Sequence, residues 1–217
     1  MSLNTERTTV RREPHRGVYD RDTIYAILDA GFVCHIGFVH EGHPFVIPTS
    51  YWRIDDHLYV HGSTASRMLR TLSAEPDVCV TVTHIDGLVL ARSAFNHSVN
   101  YRSVVVLGHG TLLATDEEKI SALHAFTERL TPGRWNEIRH PNERELKATS
   151  VLRVPLTEAS AKVRQGAPED DLDDYAVNCW AGVVPFETVV RAPIPDPKLR
   201  DDIATPGYAT HYRGPGR

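Results

Sequence analysis

Residues 32–72 read FVCHIGFVHEGHPFVIPTSYWRIDDHLYVHGSTASRMLRTL, and their pattern decides the fold. FVCHIGFV, PFVIPTSYW and HLYVHG are β-rich runs, separated by the short polar links HEGH and RIDD. Three such runs in succession predict an antiparallel meander. The last run ends at His61, where the chain passes through one glycine, three hydroxyl residues and Arg67 into a helix expected over about 64–74.

Outward from that stretch the same alternation continues. DVCVTVTHI sets Val78, Val80 and Val82 against Cys79, Thr81 and Thr83, so one face is core, and the Asp86-Gly87 pair predicts a turn into LVLAR. YRSVVVLGHGTLLA predicts a strand over 101–114 that bends at Gly108 and Gly110. SVLRVPL, ASAKVRQG and CWAGVVPFETVV supply further strands, and the acidic run EDDLDD between them reads as a solvated loop. Helices are expected in three further places. DRDTIYAILDAG offers Asp20 or Asp22 as a cap and places Ile24, Ile27 and Leu28 on one face. TDEEKISALHAFTERL opens with a capping-box pattern and aligns Ile120, Leu123, Phe126 and Leu130. A short helix follows near 142–148. About seven strands with interspersed helices give an α+β, mainly β, barrel-centred fold. The organisation expected is an N-terminal arm over 1–19, mobile or strapped over a neighbour, one domain over 20–190, and a Pro-rich tail over 191–217.

Composition narrows the function classes. The chain has 217 residues, 41% of them hydrophobic, enough for one substantial core. Its 24 basic and 28 acidic side chains leave a net charge of -4, which argues against duplex nucleic acid or an anionic membrane as partner. No apolar run approaches the ~20 residues needed to span a bilayer, and no leader is evident, so a cytoplasmic protein is expected. The three cysteines are too scattered for a disulfide framework or a zinc knuckle. Among twelve histidines the closest pairs, His40 with His43 and His57 with His61, lack the convergent ligands of a metal site, so none is assigned.

The junction after the third run has the chemistry of an anion seat. Gly62 permits close backbone approach, Ser63, Thr64 and Ser66 carry hydroxyls, and Arg67 brings a fork of charged donors. Alone, a capped helix with a surface arginine explains it as well. A second polar cluster, NYRS at 100–103, places Arg102 and Ser103 at a strand end where they would meet the same ligand. GSTASR lacks the glycine spacing of a dinucleotide-binding turn, and no Walker-type sequence occurs. A barrel holding a phosphorylated ligand at its rim is a different solution.

With strand, turn, strand, Ser/Thr cluster, arginine and helix in that order, followed by FNHSVNYRSVVVLG, the chain resembles the flavin-binding split barrels of the pyridoxamine 5'-phosphate oxidase-like superfamily, and within it the branch of the nitroimidazole-resistance reductases. HGSTASRM and FNHSVNYRSVVVLG are the most specific parts. The resemblance implies a homodimer with FMN in two grooves at the subunit interface. It places Ile47, Pro48, Thr49 and Ser50 beside the isoalloxazine, mainly through backbone groups. His61 ends the next strand, Ser63 belongs to the hydroxyl cluster, and Ser66 with Arg67 falls where the oxidases keep a basic pair for the phosphate. Ser103 matches their glutamine, and Trp180 resembles the tryptophan of their C-terminal segment. Where those enzymes have lysine this chain has Ser50, and AGVVPFETVV lacks their substrate-binding histidine and arginine. Pyridoxine phosphate oxidation is therefore not the expected reaction.

The function expected is an FMN-dependent oxidoreductase that passes electrons from a nicotinamide to a small flat acceptor, such as a quinone or nitroaromatic. The flavin would carry the chemistry, so no catalytic side chain is assigned. The alternative is a non-catalytic flavin- or haem-binding carrier or sensor.

Overall fold

The structure, a computed structural model, describes residues 2–74 and 77–215; Pro76 and the last two residues of the expected tail lie outside it. Its frame is one antiparallel sheet of ten strands, ordered β1-β9-β6-β5-β2-β3-β4-β8-β7 with β10 added beside β5. The strands are β1 (Gly17–Val18), β2 (Val33–His40), β3 (His43–Ile54), β4 (His57–Ser63), β5 (Asp77–Leu90), β6 (Ser98–His109), β7 (Thr111–Leu112), β8 (Thr149–Pro155), β9 (Glu158–Arg164) and β10 (Gly182–Pro185). Five α-helices decorate it: α1 (Arg21–Asp29), α2 (Arg67–Leu72), α3 (Asp116–Leu130), α4 (Glu143–Ala148) and α5 (Gly207–Thr210).

The sheet curls because its apolar residues alternate. Ile36, Val80, Val82, Val104, Val106, Ala159, Ala161, Leu58, Val60 and Val154 all point to one interior. Ile24, Ile27 and Leu28 of α1 stop one end of it, and Met68, Leu69 and Leu72 of α2 pack into it. Each fully buried valine or leucine contributes about 1.5–3 kcal/mol. β6 and β8 pack near each other without pairing, so the wall is not closed by hydrogen bonds. A second, smaller core lies outside the wall, where Trp52 and Val151 meet Leu113 and Ala122 under α3. Asp20 caps α1, and Thr115 with Glu118 forms the capping box of α3.

Three expectations are corrected. Asp86-Gly87 is not a hairpin turn: β5 runs through it, and the register against β6 shifts between Ile85 and Gly87 as a bulge. A Cβ on Gly87 would lie 2.7 Å from the carbonyl oxygen of Val184, so the glycine lets β10 dock on β5. The long strand breaks at Gly110, where a Cβ would meet the buried Leu152 side chain at 2.8 Å, and the wall turns there. The helix expected from Thr64 begins only at Arg67, since residues 64–66 form the turn that leaves β4.

The first nineteen residues strap over their own barrel. Leu3 is buried in the main core, its carbonyl accepts from the Ala159 amide, and Arg7 and Thr5 both bind Glu158. The tail returns to the body at α5, where Arg134 donates to the Tyr208 hydroxyl at 2.6 Å and that hydroxyl donates to Glu137. Among the described residues no helix is long and apolar enough to cross a membrane.

Candidate functional site

β3 and β4 are paired only from Tyr51–Val60 to Ile54–His57. Beyond that point they diverge, β3 continuing with β2 as far as the hairpin end and β4 with β8. The result is a wedge in the wall. Residues 45–50 line one side and residues 61–67 the other.

The backbone polarity of the wedge follows from two hairpins. His40 pairs with His43 across Glu41 (φ 50°) and Gly42 (φ 78°), and Ile54 pairs with His57 across Asp55 (φ 48°). In a two-residue hairpin the pair flanking the turn exchanges hydrogen bonds, and alternate pairs do so thereafter. On β3 the residues bonded to β2 are then Phe45, Ile47, Thr49 and Tyr51, and the Tyr51 amide does donate to the Phe32 carbonyl at 3.0 Å. The main-chain groups of Val46, Pro48 and Ser50 face the wedge instead. From the opposite wall, those of His61 and Ser63 face it. Pro44 and Pro48 carry no N–H, so Val46 and Ser50 are the donors of this edge, and the prolines also discourage pairing with a stray strand.

At the mouth of the wedge the Arg67 guanidinium lies over the Phe45 ring, 4.6 Å from its centroid, and has no carboxylate partner among the described residues. Arg67 and Arg70, one turn apart on α2, line a cavity of about 530 Å³ with His40, Glu41 and Thr71. The Thr71 hydroxyl lies 2.8 Å from His40 Nδ1, which ties the helix to the β2–β3 hairpin. Ser66 caps α2 by position only, without a side-chain hydrogen bond, whereas Ser63 Oγ accepts from the Ala65 amide at 3.2 Å. Ile47, Pro48, Thr49 and Ser50 thus lie on one flank of the divergence, and Ser63, Ser66 and Arg67 lie on the other.

His61 joins them by its backbone alone. Its ring turns away under α3, between Trp52 and Phe126 at centroid distances of 5.6 and 4.8 Å. There His61 Nδ1 is buried without a hydrogen-bond partner, and so is the neighbouring Trp52 Nε1. Burial holds the imidazole below its ordinary pKa. Burial also pushes the Cys34 thiol up to about 12, which removes it as a nucleophile.

Arg102 and Ser103 do not meet the Arg67 junction. Arg102 stands opposite His84 and makes two 2.8 Å bonds to Asp86, which hold that carboxyl below its usual range. Ser103, on the other face, donates to the Lys162 carbonyl at 3.2 Å. Trp180 is 66% exposed, with its ring against Gly182, which pairs with Leu90. Arg67 sits near the Asp77 end of β5 and Trp180 at the Leu90 end, so one chain separates them by most of a 14-residue strand, ~40 Å. Arg70 and His40 were missed by the sequence reading; the i, i+3 spacing from Arg67 was the available signal for Arg70, whereas only the fold brings His40 there.

The pyridoxamine 5'-phosphate oxidase family model matches residues 20–163. Among solved structures, the chain is similar to the flavocytochrome Anf3 of Azotobacter vinelandii, with 42% identity over 97% of this chain and 98% of that one, and a TM-score of 0.93. It is also similar to an FAD- and haem-binding protein of Mycobacterium smegmatis, with 35% identity over 92% of this chain and 98% of that one, and a TM-score of 0.87. A candidate 5-nitroimidazole antibiotic resistance protein of Bacteroides thetaiotaomicron shares the fold at 22% identity, covering 68% of this chain and 86% of that one with a TM-score of 0.55. A comparison with curated proteins finds no match. By the family model and by two full-length likenesses above 30% identity, this chain belongs to the pyridoxamine 5'-phosphate oxidase-like split-barrel family.

Proposed function

We propose that this protein is a flavin- and haem-binding redox protein that holds the flavin in the wedge between β3 and β4. The observation that carries the reading is the wedge itself: inward-facing main-chain donors of Val46, Ser50, His61 and Ser63, with an arginine at the mouth that has no carboxylate partner among the described residues. A flavin ring presents a polar edge of nitrogens and oxygens, which such donors suit, and its phosphate suits Arg67. The haem is proposed because the two similar full-length structures are a flavocytochrome and an FAD- and haem-binding protein.

FAD is preferred to FMN. The resemblance implies FMN, but Arg70 stands beside Arg67 on one cavity of about 530 Å³, and that pair of cations supports a second phosphate. When bound, a flavin exchanges electron pairs with a nicotinamide and single electrons with an iron centre. The chain's own part is to fix the ring through rigid strand backbone, to neutralise the phosphates and to exclude water along Ile47 and Phe45. No side chain of the wedge walls is placed as a catalytic acid or base, which suits a site whose reaction is electron transfer.

A second copy of the chain completes the arrangement. Trp180 and Ser103 lie far from Arg67 within one protomer, and a two-fold partner would bring such elements to the other's wedge. The exposed apolar side chains Val46, Ile47, Ile85, Leu88, Val184 and Phe186 support this, since isolated monomers rarely present so many. Electrons would pass from a nicotinamide through the flavin to the haem or to a small flat acceptor. The test is to purify the protein, release its cofactors by denaturation and identify them by mass, alongside the visible spectrum. FAD with b-type haem is the expected result. FMN alone would refute both the dinucleotide and the haem, and a colourless protein that takes up no added flavin would refute the whole reading.

A further inference from the structure

A second cavity, of about 510 Å³, lies away from the wedge, between the body of the protein and the end of its tail. Arg53, Glu128 and Arg129 line it from the body, and Tyr208, Tyr212 and Arg213 line it from α5 and the residues after it. Nothing in the flavin reading uses it.

Its walls carry more positive charge than they neutralise. Arg53 donates to both oxygens of Asp29, at 3.1 and 2.5 Å, and an Arg129 nitrogen lies 3.6 Å from the same carboxylate, so one acid serves two guanidinium groups. Arg129 is held in place by the carbonyls of Asp29 and Gly31, yet its Nε is a buried donor with no hydrogen-bond partner. Arg213 is exposed and has no ion pair or hydrogen bond to another described residue. The one carboxylate among the described lining residues, Glu128, accepts from the amides of Gly133 and Trp135, which hold it below the usual carboxylate range and occupy both its oxygens. Three arginines against two acids leave charge and donors free for an anion.

The walls are also aromatic. Tyr208 is fixed by Arg134, which donates to its hydroxyl at 2.6 Å, and by Glu137, which accepts from it. Tyr212 is half-buried, and its hydroxyl has no partner among the described residues.

We propose that this cavity binds a nucleoside monophosphate, its phosphate held by Arg213 and Arg129 and its base laid against Tyr208 and Tyr212. A phosphate monoester offers three oxygens to guanidinium donors arriving from different walls, where a carboxylate offers two. A planar base gains by stacking on aromatic rings without a matched set of hydrogen bonds. The cavity volume falls in the range of small-molecule sites, ~300–1,000 Å³. This site is independent of the flavin and its wedge. Because one wall is the tail, the nucleotide would also fasten the tail to the body.

The experiment is calorimetric titration of the full-length protein with adenosine 5'-monophosphate, and separately with adenosine and with inorganic phosphate, alongside amide hydrogen exchange. The nucleotide should bind more tightly than either of its halves. It should slow exchange at Ala209, Thr210 and His211, whose amides bond back to the Pro206 and Gly207 carbonyls. Arg213→Ala should weaken the nucleotide about tenfold or more, and Tyr212→Ala should weaken it severalfold while leaving inorganic phosphate unchanged. Neither side chain belongs to the barrel core, and far-UV circular dichroism checks that each variant is folded. Nucleotide binding that ignores both substitutions, or that leaves exchange at α5 unchanged, puts the nucleotide elsewhere, as at Arg67 and Arg70, and overturns the proposal. Absence of nucleotide binding overturns it too, as does adenosine binding as tightly as its phosphate.

Discussion

Arg67 and His61 sit six residues apart and meet opposite fates. Arg67 remains at the mouth of the wedge with only an aromatic face beneath it. A charged hydrogen bond to phosphate is worth about 1.5–3 kcal/mol, so Arg67→Ala should raise the flavin dissociation constant roughly 10- to 100-fold, read by quenching of flavin fluorescence. If Arg70 holds a second phosphate, Arg70→Ala should weaken FAD by a similar factor while leaving FMN nearly unaffected. His61 is enclosed by Trp52 and Phe126 with Nδ1 unpaired. Because burial lowers its pKa in the folded protein, the unfolded chain takes up a proton first as pH falls through about 6.5, and stability declines below that pH. His61→Phe removes both the unpaired atom and the proton uptake. It should stabilise the protein by about 1–3 kcal/mol and flatten the difference between urea midpoints at about pH 7.5 and 5.5.

β5 is the element on which the two ends of the protein depend. It pairs with β2 near its start, with β6 along its length and with β10 near its end. Asp86-Gly87 has the composition of a hairpin turn, yet β6 and β10 flank it on both edges, and the pairing they supply outweighs the local turn preference. Gly87 is then needed for space rather than for a turn. Gly87→Val should force β10 away from β5, seen as faster hydrogen exchange at Val184 and Phe186, with a stability loss of about 1–3 kcal/mol. The core of β5 and β6 should keep its protection.

The tail and the length of β5 make the protein more than a barrel with appendages. The tail leaves β10 at one end and docks by α5 beside α3, where Tyr208, His211 and Tyr212 face Arg53 and Arg129 across a cavity of about 510 Å³. A homodimer is expected in solution: if Trp180 and Arg67 serve one ligand, as the proposed function requires, they can meet on it only between copies. Light scattering should give twice the chain mass at micromolar concentration, and a monomer that still binds flavin would contradict the seam arrangement.

Much of this was legible in the residues. The meander over 32–72, the valine alternation of 78–82 and the caps at Asp20 and Thr115 depend on periods of two and 3.6 and on local side-chain-to-backbone bonds, all properties of short sequence windows. The junction from Ser63 to Arg67 was readable as an anion seat for the same reason. Other features were not readable, because they depend on which strands lie side by side. The bulge at Gly87 exists because β10 returns to β5; the pairing of Arg102 with Asp86 exists because β6 lies against β5; the His61 ring is hidden because α3 covers β4. The wedge arises where β3 changes partners between β2 and β4, and the cavity at His211 where the tail meets the body. Long-range pairing selects among local options of nearly equal energy, so these placements were settled by the packed chain and not by any window of it.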